Sequence, residues 1–99
     1  MSDLSRQHFS TLLNNVKNEI LEVCKKTDID ILDKLSQLDT DTAIVLVRLK
    51  IKPRVNQLDE LEHDGCLLLD SVYPGLSKKI TVEERTRFKR YVKAFCELV

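Results

Sequence analysis

The sequence predicts an all-α domain, a compact bundle of about five helices, and three observations lead there. Apolar residues recur at spacings of three and four along several stretches. A Thr81-x-x-Glu84 pair has the form of a helix-opening capping box. Only two glycines and two prolines interrupt 99 residues. The apolar share is 42 % and about a third of the residues are charged, the composition of one folded domain spanning residues 1–99 rather than of a disordered or fibrous chain.

The helices are expected at roughly residues 5–26, 28–38, 40–52, 54–73 and 81–98. In the first, Phe9, Leu12, Leu13, Val16, Ile20 and Val23 share one side, and Lys25 and Lys26 close it where the helix dipole favours cations. Asp28 is placed to cap the second, in which Ile29, Leu32, Leu35 and Leu38 form a stripe ahead of an Asp-Thr-Asp-Thr corner. The third is ambiguous. From Val45 to Ile51 the odd positions are apolar and Arg48, Lys50 and Lys52 fill even ones, the period of a half-buried strand. A lone strand between helices has no partner for its backbone groups, so a helix is predicted. Ala43, Ile44, Val47 and Ile51 line one side of it and Leu46 and Leu49 another, which makes it a central helix, apolar nearly all round.

Pro53 suits the first position of the fourth helix, where its missing N–H costs nothing. Val55, Leu58, Leu61, Leu68, Leu69 and Val72 carry the spacing on to Tyr73-Pro74-Gly75, which should stop it. The capping box opens the last helix, with Phe88, Tyr91, Val92, Phe95, Leu98 and Val99 toward the core and Arg85, Lys89 and Lys93 stacked at i, i+4 on another side.

Residues Thr42, Leu46, Lys50-Ile51 and Val55-Asn56-Gln57-Leu58 resemble the T-x-x-x-L-x-x-x-K-I-G-K-x-V-N-x-L pattern of the TFIIS N-terminal domain, or LW domain, of TFIIS, Elongin A and related transcription proteins. Leu32 to Leu38 is similar to the L-x-x-L-x-x-L helix just upstream in that family and in the related integrase-binding domain of lens-epithelium-derived growth factor. Lys89 to Val99 resembles its closing A-K-x-L-V-x-x-W-K-x-L-V helix, with Phe95 in place of the tryptophan. The likeness covers residues 29–99 and departs at Lys52-Pro53, which replaces a Gly-Lys turn, and in a longer segment 59–79. A shorter stretch, Leu67 to Val72, is similar to part of the BAG domains of chaperone cofactors.

The family resemblance implies a right-handed bundle whose inter-helix loops form a shallow groove for short disordered peptide motifs of transcription-elongation or chromatin factors. On this chain the corresponding positions are Lys25, Lys26, Thr27 and Asp28, with Leu76, Lys78, Lys79 and Ile80. It further implies a nuclear protein, or a cytosolic one outside that role. The alternative is nucleic-acid binding through the stripe Arg85, Lys89 and Lys93, which would supply phosphate contacts. The formal charge of zero argues against it, as does the placing of Phe88, Tyr91 and Phe95 on the core side.

Enzyme chemistry finds no constellation to stand on. His8 and His63 are the two histidines, and His63 with Cys66 offers at most half of a metal site. Asp28, Asp30 and Asp33 lack the glycine and glutamate of a calcium loop, and no glycine-rich phosphate loop is present. No catalytic residue, cofactor or small-molecule substrate is therefore predicted. Cys24, Cys66 and Cys96 are odd in number and widely spaced, which suits reduced thiols. No apolar run reaches the ~20 residues of a membrane span, and Met1 to Ser10 lacks the basic start and apolar centre of a signal peptide.

Overall fold

In a computed structural model the protein is an all-α bundle; residues 3–53 and 64–99 are described, with side chains at 64–67 excepted. Five α-helices lie among the described residues: α1 (Asp3–Thr27), α2 (Leu32–Gln37), α3 (Thr40–Leu46), α4 (Asp64–Val72) and α5 (Val82–Leu98). A π-helical turn, Val47–Ile51, continues α3, and a 3₁₀ turn, Leu76–Lys79, precedes α5. No described residue is in a strand, so the period-two pattern around Leu49 belongs to a helix. The Cα radius of gyration is 12.7 Å, as for a folded domain of about 100 residues.

The core forms where α5 meets α4, α1 and the π turn. Phe9, Leu13, Val16 and Ile20 of α1 face Phe88, Val92 and Phe95 of α5, and all are essentially inaccessible. Phe95 fills a buried site against Phe9, with ring centroids 4.6 Å apart and planes tilted by 43°, within the favourable range for aromatic pairs. Side-chain links tie the outside together: the Thr40 hydroxyl donates to Ser10 at 3.0 Å, and Lys52 Nζ donates to the Val99 carbonyl at 2.9 Å.

The second helix begins later than its leucine spacing suggests. Asp28 does not cap α2; it ends α1 in the left-handed conformation, φ +61°. The Ile29 amide then reaches back five residues to the Cys24 carbonyl at 3.0 Å, the bond of a Schellman termination with Asp28 in the position that usually takes glycine. Aspartate is one of the few residues that tolerate it. Asp30 instead accepts the Leu32 amide at 3.4 Å at the start of α2. With that start, Ile31 and Leu35 enter the core, while Leu32 turns outward at 63 % exposure and leaves the expected stripe.

Asp39 caps α3, accepting the Thr42 amide at 2.8 Å, and that backbone hydrogen bond holds its carboxyl below the ordinary range. The expected central, all-round apolar helix is not what forms. Ala43, Ile44, Val47 and Ile51 are buried and Leu46 is half-buried, but Val45 and Leu49 stand 52 % and 71 % exposed on the outer side. The π turn is explained by the proline behind it. In a regular α-helix the ring of Pro53 would strike the Leu49 carbonyl four residues back; here the turn widens just ahead of it, and the Lys52 amide bonds to Val47, five back.

The described part of the fourth helix, α4, stops at Val72, and Gly75 takes φ +85°, so Tyr73-Pro74-Gly75 ends it as predicted. The remainder of that expected helix, residues 54–63 with the Val55-Asn56-Gln57-Leu58 motif and His63, lies outside the described residues. Lys34 of α2 sits 5.1 Å from the centre of the Tyr73 ring, a cation–π contact joining α2 to the end of α4.

Candidate functional site

One ion pair links the end of α1, in the first predicted peptide-binding segment, to the start of α5, just beyond the second. The capping box forms: Thr81 Oγ1 accepts the Glu84 amide at 3.1 Å, and Glu84 Oε1 accepts the Thr81 amide at 2.9 Å. This fixes the Glu84 side chain, which is buried. Its second oxygen lies 3.6 Å from Lys26 Nζ, at the end of α1. The last turn of α1 and the first turn of α5 are thereby joined.

The predicted residues do not all serve that end alike. Lys25, Lys26, Lys78 and Lys79 are exposed and make up the candidate basic rim. Lys25 is shared with Glu22 on its own helix, at 3.3 Å, a surface pair worth a few tenths of a kcal/mol. Thr27 is half-buried and its hydroxyl donates to the Val23 and Cys24 carbonyls, both at 3.3 Å, so it shapes the turn. Asp28 is exposed but is spent on backbone geometry. Leu76 is a correction: it is fully buried, a core residue with no surface to offer. The 3₁₀ turn puts it there, because the Leu76 amide bonds to the Tyr73 carbonyl at 3.1 Å and draws the segment inward. Ile80 is half-buried.

Sequence reasoning passed over Val82, the first residue of α5, which stands 75 % exposed and follows Lys79 after Ile80 and Thr81. With Ile80 it supplies apolar surface beside the cationic rim. The signal was available: a residue just behind an N-cap faces outward when the capping box turns the third residue inward.

Behind the rim, Asp70 of α4 accepts both the Ser77 amide at 3.0 Å and its hydroxyl at 2.8 Å, and Arg85 Nη2 donates to the Ser77 carbonyl at 3.3 Å. Ser77 is buried. The 3₁₀ turn is thus held from two helices, and the rim it carries is preset.

The alternative stripe is divided by the same contacts. Arg85 and Lys89 are half-buried and Lys93 is exposed; Arg85 is already tied to the backbone of Ser77. Phe88 and Phe95 are buried and Tyr91 is half-buried, so they are turned from the stripe. Tyr91 donates to Glu19 Oε1 at 3.1 Å, and burial, reinforced by that carboxylate, pushes the phenol up.

Among the described residues no group of three or more His, Cys, Asp or Glu side chains is placed to hold a metal, and His63 and the Cys66 side chain lie outside them. Cys24 is buried, and that burial pushes its thiol up; Cys96 is half-buried. No described helix is long and apolar enough to cross a membrane. Comparison of the chain with protein-family models, with curated proteins and with solved structures finds no match.

Proposed function

We propose that the protein is a non-catalytic interaction module of the transcription-elongation type, which holds short disordered segments of partner factors at the end of the bundle carrying Lys25, Lys26, Lys78 and Lys79. The observation that supports this is the Lys26–Glu84 pair, which links the end of α1 to the start of α5, five residues after Lys79. Beside it lie Ile80 and the exposed Val82. A cationic rim next to modest apolar surface suits an acidic segment bearing one leucine or aromatic anchor. A receptor whose turns are already held by Asp70, Ser77 and Glu84 leaves only the peptide's ordering entropy to be overcome. The transcription setting, the partners among elongation or chromatin factors and a nuclear location rest on the resemblance of the 29–99 segment to TFIIS N-terminal domains.

Nucleic-acid binding through Arg85, Lys89 and Lys93 is the second reading. It is favoured less, because Arg85 donates to Ser77 and the net charge is zero.

Fluorescence-polarisation titration of acidic peptides carrying a single Phe or Leu, against the wild-type protein and a Lys25→Glu/Lys79→Glu variant, tests the first reading. Binding by the wild type and at least a tenfold loss in the variant, with an unchanged circular-dichroism spectrum, is the expected result. Absence of binding, or equal affinity in the variant, overturns it. Binding to generic duplex DNA with a steep loss on adding salt would establish the second reading.

A further inference from the structure

The outer face of α3 and of the π turn that continues it carries two exposed apolar side chains. Val45 and Leu49, four apart and therefore neighbours on a helix, point away from the buried ridge of Ala43, Val47 and Ile51. At 52 % and 71 % exposure they form an apolar crest. Arg48 and Lys50 flank Leu49, both exposed and both without an anionic partner among the described residues. The acid on the same helix, Asp41, is already engaged by Arg6 of α1. Leu49 itself lies in the π turn, whose backbone is held in place by buried Val47 and Ile51 and by Lys52 bonding to the Val99 carbonyl.

We infer that this crest is a second docking surface, separate from the lysine rim, and that its occupant is an acidic amphipathic helix of a partner protein. Two exposed apolar side chains at i, i+4 are the anchors of helix-in-groove and helix-on-helix recognition. The flanking cations choose among occupants. A second copy packed face to face about a two-fold axis would set Arg48 and Lys50 of one chain close to those of the other, with Asp41 engaged elsewhere, and like charges brought together are costly. A helix with leucines on one side and glutamates beside them leaves no charge unanswered.

The probe is a pair of synthetic amphipathic helical peptides with leucine at i, i+3, i+4 and i+7, one with glutamate and one with lysine at the flanking positions, titrated into the full chain. The glutamate peptide should bind, more weakly as salt is added, and the lysine peptide should not. Leu49→Ala, at a site too exposed to endanger folding, and Arg48→Glu/Lys50→Glu should each lower affinity for the glutamate peptide at least tenfold. Lys25→Glu/Lys79→Glu should leave it unchanged, which separates this surface from the rim and the fate of one inference from that of the other. Equal binding of the two peptides, no binding of either, or a Leu49→Ala protein that binds as the wild type overturns the inference. A sedimenting dimer that Leu49→Ala dissolves, or adsorption to phosphatidylserine vesicles that it abolishes, also overturns it by giving the crest to a second copy or to a membrane.

Discussion

Asp70 clasps Ser77 with both carboxylate oxygens, one on the backbone amide at 3.0 Å and one on the hydroxyl at 2.8 Å. Ser77 is buried, so without Asp70 its amide and hydroxyl are left in a place water reaches poorly. Hydrogen bonds to a charged acceptor contribute about 1.5–3 kcal/mol. Asp70→Ala should therefore lower the unfolding free energy by about 2 kcal/mol, seen as a lower urea midpoint with an unchanged slope. A change within ~0.5 kcal/mol would mean that the clasp does not fix the 3₁₀ turn.

Glu84 makes stability depend on pH. The Thr81 amide, and after it the Thr81 hydroxyl and the Lys26 ammonium, hold its carboxyl below the ordinary range, against the opposing effect of burial. A carboxyl whose folded pKa is depressed contributes stability that is complete above its unfolded value, about 4.3, and is lost as pH falls through the folded value. The wild type should accordingly weaken as pH drops from about 5 toward 2.5. Glu84→Gln preserves both capping bonds but abolishes the titration and the Lys26 pair. Its urea midpoint should fall less over the same interval; parallel curves for the two proteins would show that Glu84 contributes nothing to the acid limb. Asp39, also depressed, titrates in both and cancels in the comparison.

Asp28 occupies a conformation that glycine adopts without strain, at φ +61°. An L-residue there sacrifices about 1–2 kcal/mol, less for aspartate than for most. Asp28→Gly should leave stability unchanged or raise it by up to ~1 kcal/mol, whereas Asp28→Val should lower it by more than ~1 kcal/mol. Thermal or urea unfolding of the pair decides this. A valine variant as stable as the wild type would be incompatible with the left-handed turn that ends α1 at Asp28.

These residues also separate what was legible in the sequence from what was not. Thr81 and Glu84 were readable because a capping box is complete within four residues, and Tyr73-Pro74-Gly75 because proline and glycine act on their own backbone. Asp28 misled because the same residue type suits a helix start and a left-handed end; the choice was made by the Ile29 amide finding Cys24. Periodicity placed α3 but left open which of two apolar sides faces in, so Leu49 looked central until α5 and α4 had taken up the side carrying Val47 and Ile51. The loops proposed as a site were named from the family resemblance alone. The link between the end of α1 and the start of α5 depends on Lys26 and Glu84, 58 positions apart in sequence, a contact no local pattern announces.

The orientation of the third helix gives the sharpest stability test. Phe95 is 1 % exposed and stacked on Phe9, so Phe95→Ala should cost about 3–5 kcal/mol, enough to threaten a domain of this size. Leu46 is half-buried and packs against the core without being enclosed by it; Leu46→Ala should cost about 1–2 kcal/mol, below the range of a fully buried leucine. Leu49 is 71 % exposed, and Leu49→Ala should stay within ~0.5 kcal/mol of the wild type. The order Phe95, Leu46, Leu49 follows from the way α3 and its π turn are rotated against the bundle. A cost at Leu49 equal to that at Leu46 would mean the helix is enclosed on both apolar sides, and Leu49 would then not be free to meet a partner.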